Sequence, residues 1–158
     1  MVRKQTLNKF IKKLEQDIQN TLATEVFDTV VDIQSQEIQN KVYDVYSPYR
    51  YERRGAQGGL LDARNNIATF SNTGSRIEMI IQNTTKGKNN GEYITPLIVG
   101  GDGYKAMEYD FKRNRDGTQD KYLKPRDFIS TTMQRIQRTL EVHDALEIGL
   151  MKRGYKLK

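Results

Sequence analysis

A stripe of apolar residues near the start of the chain constrains its fold more than any other feature. The stripe recurs at three- and four-residue spacing, which places its members on one face of an amphipathic helix: Leu7, Phe10, Ile11, Leu14, Ile18 and Leu22. A second apolar group lies about half a turn from the first: Phe27, Val30, Val31 and Ile38. The sequence therefore predicts a long N-terminal helix over about residues 5–44. The helix either is kinked near residues 23–25 around its own core, or packs its first half on another subunit.

Tyrosine and arginine are concentrated where this helix should end. Pro48 has no amide hydrogen and biases Ser47 away from helical dihedral angles, so the chain should run on extended. The residue types that follow dominate binding hot spots, and we predict that they lie at an interface: Tyr46, Tyr49, Tyr51, Arg53 and Arg54. The alternative is that the tyrosines cover the edge of the protein's own sheet while the arginines pair with local acidic residues.

The middle of the chain is predicted to form an antiparallel sheet of about four strands. Residues 66–71 and 76–82 have strand patterns, and the turn residues between them indicate a hairpin. Residues 93–99 are the third predicted strand, which Pro96 places at an edge or a bulge. Residues 105–111 are the fourth. The polar residues 112–121 form a mobile loop that we expect to become ordered against neighbouring subunits, with these candidate contact residues: Lys112, Arg113 and Arg115.

A last helix is predicted to begin at Pro125 and end at Gly154. Its stripe consists of Phe128, Ile129, Met133, Ile136, Leu140, His143, Leu146 and Leu150. We expect this stripe to pack on the apolar face of the sheet and Leu140 to be buried. The predicted fold class is α+β, in one domain over residues 1–158. It combines a long N-terminal helix, an antiparallel sheet with long hairpin loops and a C-terminal helix packed on the sheet.

The residue types present restrict the chemistry of the chain. It has no cysteine, which excludes disulfides and thiolate metal sites and is typical of a reducing cytoplasm. His143 is the single histidine and lies in an apolar stripe, where a core or interface role is expected. Asp110 and Lys112 resemble half of a metal-dependent nuclease motif, with Asp102 or Glu92 as upstream partners, but this half-motif is common in strands. We expect no catalytic, cofactor or metal site.

The net charge of +6 suits nucleic acid or acidic protein surfaces. Basic residues cluster in residues 50–54, 112–115 and 152–158. None of these clusters matches a motif that reads bases in the major groove. Any contact with DNA would therefore be to its phosphate backbone. No apolar stretch is long enough to cross a bilayer, and we expect no membrane contact.

Several short motifs resemble those of the tail-completion or head-tail connector proteins of long-tailed bacteriophages. The first is a helix that ends with Val42-Tyr43, followed by tyrosines, Pro48, Arg53-Arg54 and Gly58-Gly59-Leu60 with Asp62. The others are residues 98–104 with Glu108-Tyr109, then residues 125–129, and finally Gly149-Leu150 with Arg153-Gly154. The resemblance runs from about Val42 to the C-terminus. The chain departs from it at Asp127, where that family commonly has proline.

This resemblance implies a non-enzymatic virion protein that forms a homo-oligomeric ring in the phage neck. The ring would join the head connector to the tail tube, so its implied partners are further copies of the chain and the adjoining head-connector and tail-tube proteins. It would be assembled in the host cytoplasm and need no cofactor. The alternatives are a small basic protein that binds nucleic acid without sequence specificity, and a metal-dependent nuclease.

Overall fold

The structure is a computed structural model that describes residues 2–45, 52–74, 76–88, 91–101 and 125–157, with side chains from Thr6 onward. Five α-helices occur in these residues: α1 (Val2–Thr21), α2 (Phe27–Ile38), α3 (Thr95–Gly100), α4 (Phe128–Arg138) and α5 (Glu141–Lys152). Two strands form an antiparallel hairpin: β1 (Asn66–Asn72) and β2 (Ile77–Asn83). A short 3-10 helix, Ala63–Asn65, precedes the first strand.

The predicted N-terminal helix is present and is interrupted by two π-helical turns. Leu22–Val26 joins α1 to α2, and Gln39–Tyr43 follows α2. A π turn holds one more residue than an α turn, so the side chains that follow it are turned by about 100° relative to an uninterrupted α-helix. The first π turn lies where the sequence predicts a change of apolar face. It accounts for part of that change without a break in the helix.

The described residues fall into two compact units, of which one contains both ends of the chain: Met1–Val30, Ala68–Ile81 and Ile136–Lys158. In this terminal unit α5 packs against α1 and the first π turn. The contact is close because Gly149 faces Thr21, which is fully buried. Beside it, the Tyr155 hydroxyl donates a hydrogen bond to Asp17 Oδ2 at 2.8 Å.

The other unit comprises the middle of the chain: Val31–Ile67 and Gln82–Arg135. Its core brings together Ile38, Val42, Leu60 and Phe128, and Phe128 is fully buried. Ile98 from α3 packs against the same cluster. The segment that leads into α4 is tied to α3 because the Arg126 N–H donates to the Ile98 carbonyl at 2.9 Å.

The predicted hairpin is confirmed, but the predicted sheet of about four strands is wrong. The hairpin turn is closed by a hydrogen bond from the Thr73 N–H to the Arg76 carbonyl, and Gly74 has a φ of 83°. The predicted third strand is instead α3, because Pro96 lies in the first turn of a helix, where its missing amide has no cost. Tyr93 forms only an isolated bridge with Lys86. The predicted fourth strand, residues 105–111, lies outside the described residues.

The prediction of one continuous C-terminal helix is also wrong, because α4 and α5 are separate helices and α5 packs on α1 and the first π turn. The helix begins at Phe128 rather than Pro125, and Asp127 caps it by accepting the Ser130 N–H at 2.9 Å. The chain leaves the helix at Thr139 and Leu140 before α5 begins. Leu140 is 68% exposed, contrary to expectation. The packed side of α5 presents Ala145 and Gly149, since small residues allow close helix contact and large ones do not.

Candidate interaction surface

The end of the N-terminal helix is held by an arginine of the predicted interface. Arg53 Nη1 donates to the Tyr43 carbonyl at 2.7 Å, and the guanidinium lies 4.9 Å from the centre of the Tyr43 ring. This arrangement combines a hydrogen bond to a terminal helix carbonyl with a cation–π contact. Burial raises the pKa of the Tyr43 hydroxyl, and the nearby charge of Arg53 only partly opposes that shift. Arg53 is half-buried, so it stabilises its own chain.

The neighbouring Arg54 is exposed and belongs to a different group of side chains. Its Nη2 donates to the Lys86 carbonyl, and the Lys86 ammonium lies 5.4 Å from the centre of the Tyr93 ring. Tyr93 is also exposed. We call Arg54, Lys86 and Tyr93 the cation–aromatic surface. It offers two positive charges and one ring face to a partner.

A rigid turn positions this surface. A Cβ atom on Gly59 would lie 2.5 Å from the Gly55 carbonyl oxygen, so only glycine is accommodated. The Asp62 carboxylate accepts two hydrogen bonds from the Arg64 guanidinium, at 2.9 and 2.7 Å, and one from the Gly58 N–H at 2.7 Å. These bonds hold the pKa of Asp62 well below its usual range. Arg54 is therefore anchored next to a backbone with little freedom.

Beneath the turn lies a buried polar network centred on Asn83. Its Nδ2 donates to the Leu60 carbonyl at 3.0 Å, while its Oδ1 accepts from the Thr85 hydroxyl at 2.6 Å. Its carbonyl accepts from the Thr95 hydroxyl at 3.2 Å. Asn83 thus connects the turn, the end of β2 and the start of α3. The sequence does not reveal this role, because a polar residue at a strand end is typical of an exposed turn.

The predicted interface residues are only partly within the described chain. Arg53 and Arg54 are described, and they contact different residues: Arg53 contacts Tyr43, and Arg54 contacts the Lys86 carbonyl. The remaining predicted contact residues lie outside the described residues: Tyr46, Tyr49, Tyr51, Lys112, Arg113 and Arg115. Lys86 and Tyr93 were not predicted. Their only sequence signal is that they flank the loop containing Gly87 and Gly91.

The terminal unit carries a second exposed surface. Leu7, Phe10 and Ile11 lie on one face of α1 and are exposed by 56%, 53% and 42% respectively. The sequence identified them as an apolar face but did not show whether the same chain covers it. In the structure these side chains are open to solvent, which is typical of an interaction surface.

His143 lies on the outer face of α5 with its side chain 60% exposed, so of the expected core or interface roles the core role is wrong. Its Nδ1 lies 3.6 Å from Asp144 Oδ1, and its Nε2 lies 3.8 Å from Glu147 Oε1. One atom of each of these three residues falls within 4.8 Å of the others. All three belong to one helix and remain open to solvent. We interpret the three side chains as a surface ion-pair group, in which the protonated histidine pairs with the two carboxylates.

The fold and surfaces define a class: a helix-rich α+β protein with one described hairpin, exposed apolar residues and a cation–aromatic surface. The chain belongs to the YomN family, whose model matches residues 6–152. No curated protein and no solved structure matches the chain. In the part of the chain that the structure describes, no helix is both long and apolar enough to span a bilayer.

Proposed function

We propose that this chain is a non-enzymatic structural protein of a phage virion. It forms a ring in the neck and joins the head connector to the tail tube. Membership of the YomN family does not by itself assign this role, so the proposal depends on the resemblance to tail-completion proteins and on the surfaces described above. The observation that carries it is the solvent-exposed apolar face of α1. A group of large apolar side chains open to solvent on one helix face, here Leu7, Phe10 and Ile11, is typical of a subunit that assembles.

The motif residues behind the resemblance have structural roles in the described chain. Gly59 permits the tight turn, Asp62 holds that turn together, and Leu60 and Phe128 lie in the core. None of these four residues presents a reactive group at the surface. The motifs therefore specify how the chain folds, as expected if the resemblance reflects a shared scaffold for assembly.

The joining role can be tested in cells that produce the phage encoding this chain. Deletion of the gene should yield DNA-filled heads and complete tails that fail to join. Addition of the purified protein to an extract containing both should restore infectious particles. Normal virions without the gene would contradict the proposal.

A salt titration separates the proposal from its main alternative. Phosphate-dominated DNA binding weakens steeply between about 50 and 200 mM salt. A ring held by packed apolar surfaces should persist over the same interval. A single chain that binds DNA only at low salt, and does not assemble at any concentration tested, would favour the nucleic-acid-binding protein.

A further inference from the structure

The exposed apolar face of α1 is open at its beginning and progressively covered further along. Leu7, Phe10 and Ile11 are exposed, whereas Leu14 and Ile18 on the same face are half-buried. Large apolar side chains grouped within little more than one helical turn are more informative than scattered ones, because a contiguous apolar patch marks an interaction site. A partner is therefore expected to cover the first part of this face. We call it the α1 face.

The start of the chain is also strongly basic. The first 14 residues contain no acidic residue and five basic ones: Arg3, Lys4, Lys9, Lys12 and Lys13. A surface that matches the α1 face should therefore combine exposed apolar side chains with negative charge. A partner with only apolar residues would leave these positive charges without negative charges to pair with.

The outer side of α5 has both properties. Ile148 and Met151 are exposed by 47% and 51%, and Leu140, which immediately precedes the helix, is exposed by 68%. Asp144 and Glu147 lie among them at helical spacing, and their side chains are 60% and 43% exposed. The opposite side of the helix carries Ala145 and Gly149 and is buried. We call the outer side the α5 face.

We propose that the α1 face of one subunit docks on the α5 face of a second copy of the chain. The exposed apolar residues of the two faces would pack together, while Lys9, Lys12 and Lys13 of α1 would lie beside Asp144 and Glu147. A second copy of the chain suits the α1 face because the residues around the α1 face are basic and the α5 face carries two acidic residues. The α1 face of one copy could not pair equally well with another α1 face, because both are basic.

A contact between two different faces leaves the first subunit with a free α5 face and the second subunit with a free α1 face. Such a heterologous contact repeats from subunit to subunit, and it forms a ring when the rotation closes. The inference deepens the proposed function by naming the subunit contact of the ring. The inference rests on the proposed function only for the closing of the subunits into a ring, because the α1–α5 contact itself requires no other phage protein.

Two single substitutions should each abolish assembly of the full-length chain. Phe10→Asp places a carboxylate in the α1 face, and Ile148→Lys places a cation in the α5 face. Each should weaken self-association by about thirty-fold or more, as expected for a central hot-spot residue. Both positions are exposed, so thermal melting monitored by circular dichroism should be unchanged.

Matched controls separate the contact from a general effect of charge. Asn8→Asp adds the same negative charge two residues from Phe10, on a different side of the helix from the apolar stripe. Met133→Lys makes a comparable change at a residue of α4 that is 52% exposed. Both controls should assemble like the unmodified chain. Equal loss of assembly in these controls would overturn the proposed contact.

Mixing the two disabled variants gives the most specific test. The Phe10→Asp chain keeps an intact α5 face, and the Ile148→Lys chain keeps an intact α1 face. Each alone should be a monomer in analytical ultracentrifugation, and an equimolar mixture should form a dimer with one copy of each. A mixture that stays monomeric would overturn the inference. So would binding of the unmodified monomer to anionic phospholipid vesicles through its α1 face without self-association.

The outcomes distinguish this inference from the proposed function. Rings that persist unchanged in both variants would overturn the α1–α5 contact but would still support the proposed ring. Mixed dimers from the variants, together with open chains rather than rings from the unmodified protein, would support the contact and contradict the proposed ring.

Discussion

Replacing Gly149 by alanine should destabilise the protein, although the same change in an ordinary helix stabilises it. Alanine is favoured over glycine inside a helix by about 1 kcal/mol. Here the added Cβ would lie 2.3 Å from Thr21 Cγ2 and 3.0 Å from Glu25 Oε2. Thr21 is fully buried and its hydroxyl donates to the Asp17 carbonyl at 2.8 Å, so its methyl group has little room to move.

The size of the effect follows from these opposing contributions. Overpacking of a well-packed contact typically costs about 1 to 3 kcal/mol, and the short distance to a buried methyl favours the upper end. After subtraction of the gain in helix propensity, Gly149→Ala should lower the free energy of unfolding by about 2 kcal/mol. Urea denaturation followed by circular dichroism measures this as a lower midpoint at unchanged slope.

Thr21→Ser provides the matched test, because it removes the clashing methyl group and keeps the hydroxyl. In the Gly149→Ala background, Thr21→Ser should restore much of the lost stability. A double-mutant cycle should therefore show strong coupling between the two positions. If Gly149→Ala instead stabilised the protein by about 1 kcal/mol, α5 would not pack closely on the N-terminal helix.

Further predictions concern the charge, the core and the interface. The hydrogen bond from Thr24, with those from Arg153 and Lys152, lowers the pKa of Glu25 from 4.5 to about 2. As pH falls from 4.5 towards 2, the unfolded state binds a proton at Glu25 before the folded state does, so the stability of the fold should drop in that interval. Glu25→Gln removes this carboxylate and should make the drop smaller when the melting temperature is measured against pH. Phe128→Ala should cost about 3 to 5 kcal/mol in urea denaturation, because the ring is fully buried. Leu140→Ala should change stability by no more than about 0.5 kcal/mol, and a larger loss would show that Leu140 is packed. Arg53→Ala should lower the melting temperature, whereas Arg54→Ala should leave melting unchanged and weaken contact with an adjoining ring. The opposite result would show that Arg54 stabilises the chain and that Arg53 contacts the partner.

Local sequence signals predicted the elements whose structure depends on neighbouring residues. The apolar spacing from Leu7 to Leu22 fixes the N-terminal helix, and Gly74 with its polar neighbours fixes the hairpin turn. Both are present in the structure. Each signal lies within a few residues of the feature that it specifies.

The mistakes occurred where more distant contacts decide the structure. The short apolar run around Pro96 suits a strand or a helix equally well, and packing of Ile98 on the central core favours the helix. Leu140 continues the helical spacing in sequence, but the chain leaves the helix there before α5 begins. The close approach of α5 depends on Gly149, which an analysis of large apolar residues overlooks.

The candidate site was predictable in composition but not in geometry. The sequence placed Arg53 and Arg54 in one predicted interface, and the structure gives them different environments. Arg53 turns to the helix end because Tyr43 supplies both a carbonyl and a ring. Arg54 meets the Lys86 carbonyl, from a segment far along the chain. Such long-range pairing leaves no periodic signal in a sequence.

The mass of the unmodified protein in solution tests the proposed ring most directly. Size-exclusion chromatography with light scattering, at about 200 mM salt where phosphate-dominated contacts are weak, reports this mass independently of shape. A ring predicts one species at a fixed multiple of the 18.3 kDa chain mass, unchanged on dilution over the working range. A mass of 18.3 kDa at every concentration would contradict the proposal that this chain is a ring-forming subunit.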